Sequence, residues 1–174
     1  MGLAMRYLAA APDDAPVGDA ECPDTLGRLF GAGEWWKKAG DSAVDVGESW
    51  QGIHYLLNGD PWEGQRPAAD LVCGGVLLTV DDGVRDRIGC DVLYLDPARV
   101  KEVAEHLAAT PFDKLTGRFD PKAMDVAGVQ GADAWASQPT KKVLDKVLKP
   151  AYQDLVKLFG AAASSGHAVF KTMG

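Results

Sequence analysis

Trp50-Gln51-Gly52-Ile53-His54-Tyr55-Leu56-Leu57-Asn58-Gly59 is a run in which Trp50, Ile53, His54 and Leu57 recur at i, i+3, i+4 and i+7. That spacing places all four on one stripe of a helix turned toward a core, and Gly59 supplies the stop, because glycine takes left-handed backbone readily at a helix C-terminus. An imidazole that faces inward beside an indole is either a structural group with both nitrogens satisfied or a functional one. The remainder of the chain decides what the stripe can pack against.

Toward the N-terminus, Leu3 to Leu8 reads as a first strand ended by Pro12-Asp13-Asp14, and Pro23-Asp24 precedes a helix opening at Thr25. Trp35 and Trp36 lie on a further helical turn, where neighbours point about 100° apart, so one enters the core and the other meets the rim. Toward the C-terminus, Asp60 to Pro67 carries two prolines and a glycine and reads as an ordered loop of the kind that borders a pocket. Val76 to Val80 and Cys90 to Leu95 read as strands joined by a turn at Asp81-Asp82-Gly83. Asp96-Pro97 then sets a capping carboxylate before a proline at the first helical position, and Val100, Val103, Ala104 and Leu107 keep helical spacing up to Thr110-Pro111. Asp120-Pro121 repeats the capping pair. From Thr140 to Ala163 a long amphipathic helix is expected, bent near residues 146 to 150 by Pro150, before a last strand at His167 to Lys171.

Composition narrows the class. The 174 residues, 47% hydrophobic and 25% charged, match one globular domain, and no apolar run approaches the roughly 20 residues a membrane helix needs. Arg6 falls where a signal peptide would be apolar, so the expectation is a cytoplasmic protein. Cys22, Cys73 and Cys90 are odd in number and far apart, which fits reduced thiols. His54, His106 and His167 are equally scattered, so no metal-ligand spacing can be written and no cofactor motif is present. The net charge of -7 is carried by residues 1 to 75, with 12 acids and 5 bases, which disfavours nucleic acid as a partner. Lys141, Lys142, Lys146, Lys149 and Lys157 share one helical stretch with Asp145 and Asp154 and read as a solvated face.

The segments in this order resemble the YfbM-like family of bacterial proteins, a domain of unknown function (1877). The resemblance rests on Met1-Gly2 with the first strand, Asp45-Val46, Trp50, Ile53 to Leu57 and Gly59, then Tyr94-Leu95 and Pro97 before Val100, and Gly166, Ala168 and Val169. It implies an α+β fold, a single domain with several helices packed on a small mixed sheet, and no established activity, substrate or cofactor. Where the family tends to carry a second acid two positions after Asp45, this chain has Gly47, so a scheme pairing two carboxylates with His54 loses a member.

Three readings follow. The favoured one is a non-catalytic binding or protein-interaction domain, taking a small molecule or a protein partner through Trp50, His54, Tyr55, Asn58 and Trp62. A protein partner suits an acidic domain, since small acidic bacterial domains sometimes neutralise basic toxins by an immunity-like contact. The alternative is a hydrolase-type enzyme with His54 as general base, oriented by Asp45 or Asp60. No GxSxG, phosphate loop or GxGxxG accompanies it, and Cys73 reads as a small buried residue rather than a nucleophile. The third reading makes His54 a core histidine bonded to backbone behind Trp50.

Overall fold

The computed structural model describes residues 2–14 and 22–174. Its elements run β1 (Met5–Ala10), α1 (Cys22–Phe30), α2 (Trp35–Lys38), β2 (Ala43–Gly47), α3 (Trp50–Asn58), β3 (Val76–Leu77), α4 (Asp82–Ile88), β4 (Asp91–Leu95) and α5 (Pro97–Ala109). They continue with α6 (Pro121–Val126), α7 (Ala132–Ala136), α8 (Thr140–Val143), α9 (Lys149–Ser165) and β5 (Ala168–Met173). The strands form one sheet in the order β2-β1-β5-β4-β3. This is the expected α+β domain, with one correction: the sheet is not mixed, because every pairing is antiparallel. The last strand enters at the centre, opposite both β1 and β4, so no parallel crossover is needed.

β5 is buried on both faces, and alternation along it separates two cores. Ala168 and Phe170 point to a smaller cluster with Leu8, Val92, Tyr94, Leu26, Phe30 and Trp35. Val169 points to the larger one, which takes in Met5, Tyr7 and Leu95 and the apolar faces of α3, α5 and α9. Lys171, two residues on, shares the side of Val169 and is fully buried. As expected of the tandem tryptophans, Trp35 is buried against Phe30, their ring centroids 4.9 Å apart, while Trp36 lies at the rim.

Several local expectations shift. The strand at 76–80 shortens to Val76–Leu77, and Asp81-Asp82-Gly83 opens α4 instead of turning a hairpin. Asp81 accepts hydrogen bonds from the amides of Gly83 and Val84, which makes it an N-cap. The capping pairs at Asp96 and Asp120 act as read, each accepting from amides of the first turn. The bend at Pro150 takes the form of a π-turn over Leu144–Leu148, in which the Lys149 amide reaches back to the Leu144 carbonyl. An i+5 bond there admits the extra residue just before a proline that cannot donate. No helix among the described residues is long and apolar enough to cross a membrane.

The Trp50–Leu57 stripe lies on a buried helix, α3. Trp50, Ile53 and His54 are at most 1% exposed, and Gly59 closes α3 in left-handed backbone with its amide on the Tyr55 carbonyl. Gln51, Gly52 and Leu56 are buried as well, so α3 is enclosed almost all round. Gly52 has a specific reason to be glycine: a Cβ there would lie 2.7 Å from the Trp135 ring and 3.1 Å from Leu148. Gly52→Ala is expected to destabilise the protein by about 1–3 kcal/mol through overpacking, despite alanine's better helix propensity, and urea unfolding would measure it.

Candidate binding surface around Trp62

His54 is 0% exposed, and both ring nitrogens have partners. Nε2 lies 3.2 Å from the Glu63 carbonyl, an acceptor only, so Nε2 carries the proton and donates. Nδ1 lies 3.3 Å from the Asn58 side-chain amide, which donates to it. The same amide nitrogen donates to the His54 carbonyl at 3.0 Å, fixing Asn58 one helical turn on. Both bonds suit the neutral imidazole. Burial holds the His54 pKa below its usual value, opposed first by the Glu63 carbonyl; the Lys171 charge lowers it further and Asp60 raises it.

The carboxylates expected to orient His54 are engaged elsewhere. Asp45 pairs with Arg6 at 3.2 Å and accepts from the Gly47 amide. Asp60 accepts the Trp62 and Glu63 amides at 2.8 and 2.7 Å, closing a tight turn, and these two bonds hold its own pKa down. His54 therefore works as a clamp. It ties α3 to the loop 59–64, and Gly64 lies so close under Asn58 that a Cβ would sit 2.2 Å from Oδ1.

What the clamp presents is Trp62, 53% exposed, its ring centroid 5.4 Å from that of buried Trp50 and tilted 57° to it. Trp50 donates from Nε1 to the Leu3 carbonyl at 2.9 Å. Gln130 brackets the same residue, accepting the Leu3 amide and donating to its carbonyl. Gln51 joins the two sides: it donates to the Pro61 carbonyl and accepts the Gln130 amide at 2.8 Å. Residues 3, 50, 62 and 130 thus converge from four segments. Leu3 is 44% exposed, so Leu3 and Trp62 are two partly open apolar residues tied to Trp50, one through its carbonyl and one through its ring, and Glu63, next in the chain, is exposed. Of the five residues read from the sequence, Trp50, His54 and Asn58 meet in the interior behind the loop, Tyr55 is half-buried against the core, and Trp62 faces solvent.

The sequence reading missed a second polar assembly below this loop. Lys171 donates from Nζ to the carbonyls of Asp70 at 2.8 Å, Val72 at 2.7 Å and Gly74. The buried Asp70 carboxylate receives Arg99 through two nitrogens and Arg66 at 3.1 Å. Tyr7 donates to the Leu71 carbonyl at 2.9 Å. Loop 68–74 is therefore pinned at every carbonyl from 70 to 72 and again at 74. Burial pushes the Lys171 ammonium down to about 7, against the pull of Asp70, and pushes the Cys73 thiol up to about 11. A thiol so placed stays protonated at neutral pH and is a poor nucleophile. The only sequence signal for this assembly was a lysine on an otherwise apolar strand.

Larger clefts lie elsewhere, one of about 710 Å³ between α5 and α9 over Phe112 and Tyr152, and one of about 550 Å³ between β2 and α9. Neither is lined by the five residues above.

A family model described as "Domain of unknown function (DUF1877)" matches residues 1–172. Among solved structures the chain is similar to one titled "The Crystal Structure of a Protein of Unknown Function YfbM from Escherichia coli", with 11% identity, 98% of this chain and 99% of that chain covered, and a TM-score of 0.67. At that identity the likeness is one of fold. No curated protein matches the chain.

Proposed function

Because this chain belongs to the family described as a domain of unknown function (DUF1877), which supplies a fold and no chemistry, we propose from the geometry that it is a non-catalytic protein-interaction domain whose recognition element is the Trp62 loop. The observation that carries this reading is an indole left half-exposed on a loop that is otherwise fixed by His54, Gln51 and the Asp60 turn. Ordering a loop costs conformational entropy, and aromatic anchors held rigid before contact are the residues that dominate protein interfaces. Trp62 projects from the surface and does not line either large cleft, which favours a protein partner over a small molecule.

The hydrolase reading has less support. A general base needs an accessible nitrogen, and His54 has both of its nitrogens in internal hydrogen bonds. Free, half-buried Cys73 and Cys90 support action in the cytoplasm. An acidic surface supports a partner other than nucleic acid.

Photo-crosslinking tests the proposal. With Trp62 replaced by p-benzoylphenylalanine in the full chain, irradiation in cells is expected to yield a discrete protein adduct, and the same replacement at exposed Lys142 is expected to yield none. Absence of an adduct from position 62, or the same adducts from both positions, would overturn it.

A further inference from the structure

The protein already contains one complete version of the arrangement that Trp62 leaves open. Arg6 lays its guanidinium carbon 3.7 Å above the centroid of the Trp36 ring while its Nε pairs with Asp45 at 3.2 Å. The cation gains the ring's negative face and a carboxylate at once, a combination suited to planar, weakly hydrated guanidinium more than to ammonium. At Trp62 the indole is present, half-exposed, and the carboxylates are present: Glu63 is exposed and Asp60 sits on the same turn. Neither acid takes part in the ion pairs among the described residues. Arg66, the nearest arginine in sequence, is committed to Asp70 and Glu102. Arg118, which reaches the start of this loop beside Gly59, is committed to the Leu56 and Leu57 carbonyls, so among the described residues neither Asp60 nor Glu63 has a guanidinium partner of the protein's own.

We infer that the occupant of the Trp62 surface is an arginine-bearing segment of a cationic protein, its guanidinium stacked on Trp62 and bonded to Glu63 or Asp60; this rests on the protein-interaction reading above. Charge complementarity extends past the contact itself. The whole chain carries a net charge of -7, so a basic partner is drawn in from a distance. The turn fixes the backbone: Asp60 holds the amides of both Trp62 and Glu63, so the two residues are carried on one ordered segment.

The test titrates N-acetyl-tetra-arginine amide into the intact protein and follows the indole N–H signals by NMR, with the tetra-lysine and tetra-glutamate peptides alongside. The Trp62 signal is expected to shift with tetra-arginine, with affinity about fivefold or more above tetra-lysine and none detectable for tetra-glutamate. Asp60→Asn with Glu63→Gln keeps an oxygen acceptor in the turn but removes both charges, and is expected to weaken binding about tenfold, as is Trp62→Ala. Thermal unfolding checks that both variants remain folded. Equal affinity for the arginine and lysine peptides, or binding that survives Trp62→Ala, would show diffuse surface attraction and overturn the inference, as would no shift at Trp62. If position 62 still traps a protein in cells while tetra-arginine leaves Trp62 unmoved, the occupant is wrong and the interaction reading stands. If both fail, both fall.

Discussion

Lys171→Met is expected to lower the unfolding free energy by about 3–5 kcal/mol, the range seen when one partner of a buried charged assembly is removed. Methionine fills a similar volume, so the loss isolates the hydrogen bonds rather than a cavity. Three carbonyls of loop 70–74 would lose their donor inside the core, and each unsatisfied acceptor carries a desolvation penalty of about 1–3 kcal/mol, partly relieved as the loop shifts toward water. Urea unfolding at about pH 6, where the ammonium is held, measures it. The pH dependence has a definite sign. The lysine pKa is about 7 in the folded protein against 10.5 for the free side chain, so between those values the unfolded chain binds a proton that the folded chain has released. Folding is favoured as pH rises through that window. The stability gap between wild type and Lys171→Met therefore widens from pH 7 toward 10.5. Tyr7, Cys73, Asp70, Arg99 and His54, which surround the amine or act on it, remain in both proteins. A gap that stays flat over the window, or a Lys171→Met protein as stable as wild type, would remove the lysine from this role.

Trp50→Ala is the second large effect, expected at about 3–5 kcal/mol for a fully buried indole in a close-packed core. It differs from an ordinary cavity mutation because Trp50 reaches in two directions. Its ring supports Trp62, and its Nε1 holds the Leu3 carbonyl. Beyond the stability loss, faster amide exchange is expected at Leu3, Trp62 and Glu63, while α4, whose Val84 and Ile88 pack against the smaller core, keeps its relative protection. Trp62→Ala, by contrast, truncates a side chain that is half in water and is expected to cost about 1 kcal/mol or less. The proposed recognition role of Trp62 can therefore be tested apart from stability, which the inner indole carries. Equal destabilisation by the two substitutions would mean that Trp62 is simply part of the core.

Much of the fold was legible because local chemistry repeats at short range. Helical spacing identified α3, α5 and α9, and Asp-Pro pairs marked two helix starts, since capping and periodicity are properties of neighbouring residues. Gly59 stops its helix as expected, and Gly166 does the same for α9, both in left-handed backbone. β2 escaped notice because Ala43–Gly47 pairs with a strand almost forty residues earlier and shows little alternation of its own. The antiparallel sheet was equally hidden, because the direction of β5 between β1 and β4 is fixed only by long-range pairing.

The sequence grouped Trp50, His54, Tyr55, Asn58 and Trp62 as a candidate site but did not reveal which of them point inward and which outward. Inward and outward tryptophans look alike in a sequence, and which is which depends on the turn at Asp60 folding back over α3. The roles of Lys171 and Asp70 were hidden for a related reason, although a lysine on an otherwise apolar strand was there to be seen. A charged residue is buried only when distant groups complete its bonds, and here the partners of Lys171 lie about a hundred residues away along the chain. Gln51 and Gln130 likewise read as ordinary polar positions, although together they join the loop, the N-terminal segment and the turn before α7.

The placement of the Trp62 loop depends on His54 as a neutral buried clamp, donating from Nε2 to Glu63 and accepting at Nδ1 from Asn58. Long-range proton–nitrogen NMR of the imidazole reads this directly. The ring is expected to be protonated at Nε2 alone at neutral pH and to titrate below the usual 6.5, so that its contribution to stability is complete above that value and declines as the solution is acidified past it. A ring protonated on Nδ1 alone, or one that gains its second proton at or above 6.5 as an exposed histidine does, would contradict the account.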